Sequence, residues 1–94
     1  MTRLPVTAAG HIALEEELRR RIRVARPSLV RRIRQAISDE ANLVENSEYQ
    51  AALAEQELNE TRIADLRQAR ARRNRRRIEA FRRYDQVRRH SDAD

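Results

Sequence analysis

The sequence predicts an all-α protein: an antiparallel two-helix coiled-coil hairpin followed by an arginine-rich helical extension. Three observations lead there. Across 94 residues there are one glycine, two prolines and three aromatics, too few turn formers and large apolar groups for a sandwich or barrel. The 39% apolar content is mostly Ala, Leu, Ile and Val, and the 38% charged content is mostly Arg and Glu, the mixture of long helices packed along a narrow seam. Two apolar stripes with spacings of three and four residues are separated by a short polar segment, DEANLVENSE.

The first stripe is Leu14, Leu18, Ile22, Ala25, Leu29, Ile33 and Ala36 or Ile37. Repeats of this kind put the residues on one helical face. Thr7 is a candidate N-cap, or Gly10 breaks a preceding turn. Pro27 interrupts the stripe, and a proline inside a helix removes a hydrogen bond and kinks or restarts it. The second stripe is Tyr49, Ala52, Gln56, Asn59, Ile63 and Leu66, a heptad-like seam whose polar positions weaken it but can fix register. Between the stripes, Asn42 and Asn46 tolerate turns and left-handed backbone, and Asn46 or Ser47 can N-cap the second helix. These readings predict a hairpin over residues 1–66 with its tip within 38–46. About 15 residues separate the turn from the proline, an arm of roughly 22 Å.

The seam is expected to fail in RQARARRNRRR, residues 67–77, where Arg70, Arg73 and Arg77 fall on it. Apolar residues resume at Ile78, Phe81, Tyr84 and Val87. Residues 67–94 therefore read as an arginine-rich helical extension, continuous with the hairpin or separate, with a frayed HSDAD end. Packing of the Ile78, Phe81 and Tyr84 group back on the hairpin, or dimerisation, would relieve the small core.

Charge is segregated along the chain. Residues 3–34 carry nine arginines, residues 35–61 carry none against seven acids, and residues 62–89 carry twelve against three acids. Folding back near residue 42 gathers the basic ends at the base and leaves an acidic tip. All 21 basic residues are arginine, as codon usage in a GC-rich genome favours, and the net charge is +6. These charges do not titrate and can fork onto phosphates or carboxylates, so an acidic partner is expected, RNA, DNA or an acidic protein surface. Arg70, Arg72, Arg73, Arg75, Arg76 and Arg77, with Arg31, Arg32 and Arg34 on the first helix, are the candidate phosphate contacts. A solvated, self-repelling face explains the run equally well. Without interleaved aromatics, binding is expected to tolerate any sequence.

Other classes find no support. Cysteine is absent, which excludes disulfides and thiolate metal sites. His11 and His90 have no ligand-like spacing, and no phosphate loop or Ser-His-Asp set is visible. No apolar run approaches a membrane span and no signal peptide is seen, so a cytoplasmic protein without a membrane partner is expected.

The run NLVENSEYQAA, preceded by ARPSLVRRIRQA, and the start LPVTAAGHIALEEEL resemble the N-terminal coiled coil of the Gre (GreA/GreB) family of bacterial transcription elongation factors, over roughly residues 4–66. The resemblance implies a hairpin that enters the secondary channel of bacterial RNA polymerase. There its tip acids help the polymerase hold a second Mg²⁺ and a water for cleavage of backtracked RNA. On that reading the chain is no enzyme and has no cofactor of its own. Glu45 matches a family tip acid that would share the Mg²⁺ within the polymerase, while Leu43, Asn46, Glu48 and Tyr49 match residues that shape the tip. Asn42 stands where the family has Asp, which predicts weak cleavage, with Asp39 or Glu40 as substitutes. Ile37 or Ser38 stands where a basic residue is usual, and an arginine-rich extension replaces the family's C-terminal docking domain. Without the resemblance, Glu45 and Glu48 would read as solubilising first-turn acids. The alternatives to a polymerase factor are an arginine-rich nucleic-acid binder and a coiled coil that pairs with another chain, including a homodimer.

Overall fold

A computed structural model describes residues 7–92, the side chains of 91 and 92 excepted. Helix α1 spans Ala8–Arg20 and α2 spans Arg26–Asp39, joined by a π-helical turn at Arg21–Ala25. A short loop leads into α3, Ser47–Asp92, which returns antiparallel along both. No strand occurs among the described residues. The particle measures 76 × 24 × 19 Å, and its long axis is set by the 46 residues of α3, about 69 Å at helical rise.

Thr7 resolves the start of α1. Its hydroxyl oxygen accepts the Gly10 N–H at 3.0 Å, and Gly10 lies inside the helix rather than breaking it. Leu4, Pro5 and Val6 of the LPVTAAG phrase lie outside the described residues.

Pro27 does not break the arm. The α pattern instead widens just before it: the Arg26 N–H donates to the Arg21 carbonyl, one residue further back than in an α-helix, and α2 restarts with the proline in its first turn. There the missing N–H costs little. Asn59 of α3 braces this wide turn. Its Nδ2 donates to the Arg21 carbonyl at 3.2 Å, and its Oδ1 accepts from Arg21 Nη1 at 3.2 Å. A buried amide is tolerated because both of its ends are bonded.

The stripes meet as their spacing requires. Leu14, Leu18, Leu29 and Ala36 are buried on the first arm, and Ala52, Asn59, Ile63 and Leu66 on the second. At the position the pattern left open, Ala36 takes the seam at 3% exposure and Ile37 turns outward at 43%. The seam runs one turn past its expected failure: Ala69 is buried with Leu14, Leu18, Ile63 and Leu66, and Ile22 packs against them. Arg70 escapes the seam by pairing with Glu15 at 3.5 Å.

The extension is continuous with the hairpin, a single helix to Asp92 that keeps His90 helical. Ile78, Phe81, Tyr84 and Val87 do not pack back; Phe81, for example, is 68% exposed. Among the described residues no element faces α3 beyond the start of α1, so none of them covers these side chains.

Ion pairs stitch the flanks of the seam. Glu17 accepts from Arg62 at 2.8 and 3.0 Å and from Arg21 at 2.7 Å, and Arg26 forks onto Glu60 at 2.9 and 2.7 Å. Hydrogen bonds from Arg62 first, then from Arg21, hold the Glu17 carboxyl down at about 2. Arg26 likewise holds Glu60 below its ordinary value.

Candidate functional site

The tip is built on Asn46. α2 ends with Glu40 in extended backbone, its N–H still bonded to the Ala36 carbonyl at 3.1 Å. The Glu40 carboxylate accepts the Asn42 N–H at 2.8 Å, and a tight turn closes with the Glu45 N–H on the Asn42 carbonyl at 3.2 Å. No described residue has positive φ, so the asparagines shape the turn through their hydrogen bonds rather than through left-handed backbone.

The Asn46 amide, buried at 6% exposure, donates to the carbonyls of Ala36 and Glu40, both at 2.8 Å. Its Oδ1 accepts the Tyr49 N–H at 2.9 Å, the bond of an N-cap to the third helical residue, so Asn46 rather than Ser47 caps α3. One side chain therefore ends α2 and begins α3. Gln50 Nε2 adds a bond to the Leu43 carbonyl at 3.0 Å, a tip contact with no marker in the sequence pattern. Leu43, within the turn, and Tyr49, in the first turn of α3, are half-buried.

The acids at the tip are not equivalent. Glu45 lies on the turn, exposed, and pairs with no arginine among the described residues. Asn42 is exposed on the same turn, its backbone N–H and carbonyl both engaged. Asp39 accepts from Gln35 Nε2 at 2.9 Å, and Glu40 is committed to the Asn42 N–H. Glu48 is drawn off the tip by Arg32 at 3.1 Å, and Arg32 also binds Glu55. Arg32 and Arg70 are thus engaged in ion pairs within the hairpin. Arg31, Arg34, Arg72, Arg75, Arg76 and Arg77 are exposed, while Arg73 is half-buried at the base.

Chemically, the turn presents the Glu45 carboxylate and the Asn42 side-chain carbonyl as oxygen donors, with the exposed carboxylates of Asp39 and Glu40 each accepting one hydrogen bond beside them; oxygen donors of this kind suit a hard divalent cation. No group of three or more acids or histidines able to hold a metal occurs among the described residues. No described helix is long and apolar enough to cross a membrane.

The family model described as "Transcription elongation factor, N-terminal" matches residues 4–74. The chain is 50% identical over 66 residues to the transcription elongation factor GreA of Azorhizobium caulinodans, covering 70% of this chain and 41% of that protein. It is 48% identical to GreA of Rhodopseudomonas palustris and 47% identical to GreA of Beijerinckia indica, with the same coverage. The chain therefore spans about two fifths of the length of these relatives. No solved structure matches it. With the family model covering most of a chain that folds as a helical hairpin, the protein belongs to the GreA/GreB N-terminal family of transcription elongation factors.

Proposed function

We propose that this chain is an RNA polymerase accessory protein whose hairpin enters the secondary channel and modulates cleavage of backtracked RNA. The observation that carries this reading is Glu45: exposed on the tip turn and outside every described ion pair, while Glu15, Glu17, Glu48, Glu55 and Glu60 are engaged along the arms. In the polymerase, Glu45 and the Asn42 carbonyl would face a Mg²⁺ of the active centre, which when bound supplies the activation of a water. The chain's own part is positional. Asn46 fixes the turn, Glu40 fixes the Asn42 backbone, and the Arg32 pairs keep cationic charge away from the tip. An amide at position 42 offers a dipole where a full charge would bind the cation more strongly, so cleavage by the natural sequence is weak.

The test has two arms. Purified protein is captured on core RNA polymerase with and without full-length GreA as competitor, and stalled elongation complexes are assayed for transcript cleavage with added Mg²⁺. Competition, weak cleavage, a gain on Asn42→Asp and a loss on Glu45→Ala support the reading. An absence of capture and of any effect on GreA activity removes the channel from it. Robust cleavage by the natural protein would assign the missing charge to Asp39 or Glu40.

A further inference from the structure

The seam face of α3 is repeated beyond the hairpin. Phe81, Tyr84, Val87 and Arg88 stand 18 positions after Ile63, Leu66, Ala69 and Arg70. At about 3.6 residues per turn that shift is about five full turns, so the two sets share one face of the helix. The first set is covered by α1. Ile63, Leu66 and Ala69 are buried with Leu14 and Leu18, and Arg70 pairs with Glu15 at 3.5 Å. Glu17, on the opposite flank of α1, holds Arg62 at 2.8 and 3.0 Å. The covering segment, Leu14–Leu18, reads LEEEL: two leucines one turn apart, with an acid beside each. The second set is bare. Phe81, Tyr84 and Val87 are exposed, no described element faces them, and Arg88 has no acidic partner among the described residues.

What covers the first set indicates what fits the second. Phe81 and Tyr84 lie on one line with Arg77 and Arg88, at spacings of four, three and four residues, the rhythm of a coiled-coil seam. A helix seated on that line meets both aromatic rings and, at its two ends, both guanidinium groups. It must therefore bring apolar groups and carboxylates together. Residues 71–90 carry nine arginines against two acids, Glu79 and Asp85, and Asp85 is held by Arg89 at 3.1 Å. A second copy of this end would set like charge against like charge. Arg72, Arg75, Arg76, Arg82, Arg83 and Arg89 lie on the opposite side of the helix, where a nucleic acid would neutralise them and leave Phe81 and Tyr84 wet. A lipid surface that took in the two rings would take Arg77 and Arg88 with them, on the midline of the apolar face rather than at its edge.

We propose that this bare seam docks an acid-flanked apolar helix of a protein partner, antiparallel to α3 and in line with α1, with aliphatic side chains on Phe81 and Tyr84 and carboxylates on Arg77 and Arg88. The proposal rests on neither the tip nor the polymerase reading.

The probe is a fluorescein-labelled peptide of three LEEELAA repeats, the covering segment of α1 in heptad form, titrated with the full chain at about 150 mM salt and read by anisotropy. Its counterpart, three AEEEAAA repeats, is equally charged and helix-forming but has no leucines. The leucine peptide binds saturably, and the alanine peptide binds at least about tenfold more weakly. F81S/Y84S lowers affinity for the leucine peptide at least about tenfold, and F81L/Y84L retains it. R77Q/R88Q lowers it about fivefold or more, whereas R75Q/R82Q/R83Q, on the far side and beyond a Debye length of about 8 Å, changes it less than about twofold. Circular dichroism checks that each variant keeps the natural helicity. The proposal is overturned if the leucine peptide fails to bind, if the alanine peptide binds as tightly, if F81S/Y84S leaves affinity unchanged, or if R77Q/R88Q loses no more than R75Q/R82Q/R83Q. Three further outcomes give the face to another occupant and overturn it as well. A 24-bp DNA duplex, or vesicles of phosphatidylcholine with phosphatidylglycerol, binds more tightly than the leucine peptide and is lost in F81S/Y84S. The natural chain sediments as a dimer and F81S/Y84S as a monomer. Removal of residues 2–6 tightens peptide binding about tenfold, which assigns the face to the chain's own start.

Discussion

Replacing Asn46 by Ala should destabilise the hairpin by about 2 kcal/mol, more than any single exposed ion pair along the arms. The structure divides the loss in two. The N-cap bond to the Tyr49 N–H accounts for about 1 kcal/mol. The two amide donations account for about as much again, and unevenly: the Ala36 carbonyl keeps the Glu40 N–H at 3.1 Å, while the Glu40 carbonyl falls back on water. Asn46→Ser separates the shares, since a serine hydroxyl caps the helix but is too short to span to α2; it should cost about 1 kcal/mol. Asn46→Asp keeps the acceptor at the positive end of α3 but turns a carboxylate toward two carbonyl oxygens, and should cost at least as much as Ser. The assay is urea unfolding of the full chain followed by circular dichroism at 222 nm, at fixed protein concentration. A loss below about 0.5 kcal/mol for Ala, or equal losses for Ser and Ala, would refute the view that one side chain both ends α2 and begins α3.

Acid should strip a second contribution. Glu17 sits at about 2 in the folded chain, below its unfolded value, so its stabilisation is complete above about pH 4.5 and is lost as pH falls toward 2. A shift of that size corresponds to roughly 3 kcal/mol, and partial exposure of the cluster reduces it to about 1–2 kcal/mol. Glu17→Gln should cost that amount at pH 7 and flatten the stability profile between pH 4.5 and 2, as denaturant midpoints across pH will report. Ala52, fully buried at 0% exposure, should not accept a larger group: Ala52→Leu forces the arms apart at about 1–3 kcal/mol, whereas Ile37→Gln on the outward face should change the urea midpoint little. Asn59→Ala should leave the Arg21 carbonyl without its cross-helix donor and cost about 1–2 kcal/mol in the same assay, with the wide turn becoming the first segment to exchange its amide hydrogens.

Much of this architecture is legible in the sequence because it is written in short-range spacing. The stripes from Leu14 to Ala36 and from Tyr49 to Leu66 name their own buried faces, and a polar segment holding Asn42 and Asn46 between them locates the turn. The capping role of Asn46 is also a local property, since its acceptor needs an N–H only three residues on. What escapes is whatever depends on the facing helix. The bonds of Arg32 to Glu48 and Glu55, 16 and 23 positions later, leave no mark in either stripe. The wide turn before Pro27 is invisible because its brace, Asn59, lies 38 residues from Arg21. The seam runs on through Ala69 because burying an alanine there needs only a small partner, while Arg70 is carried aside by Glu15 of the opposite arm.

The π-helical turn also bears on which changes in the gene this arm can absorb. Arg21–Ala25 uses five residues where an ordinary helical turn uses about four, and both flanking helices are held in place by α3 rather than by the turn between them. The arm therefore contains one codon more than its path requires. In-frame loss of the exposed Val24 can be taken up by tightening the turn, with Leu18 and Leu29 still on the seam. The same single-codon loss at Arg31 or Arg34 has no slack to draw on. It rotates the rest of α2 by roughly 100°, carries Ala36 off the seam and takes the carbonyls that Asn46 reaches out of register. Length variation among natural versions of this hairpin should accordingly gather at residues 21–25 and spare the turns between there and the tip.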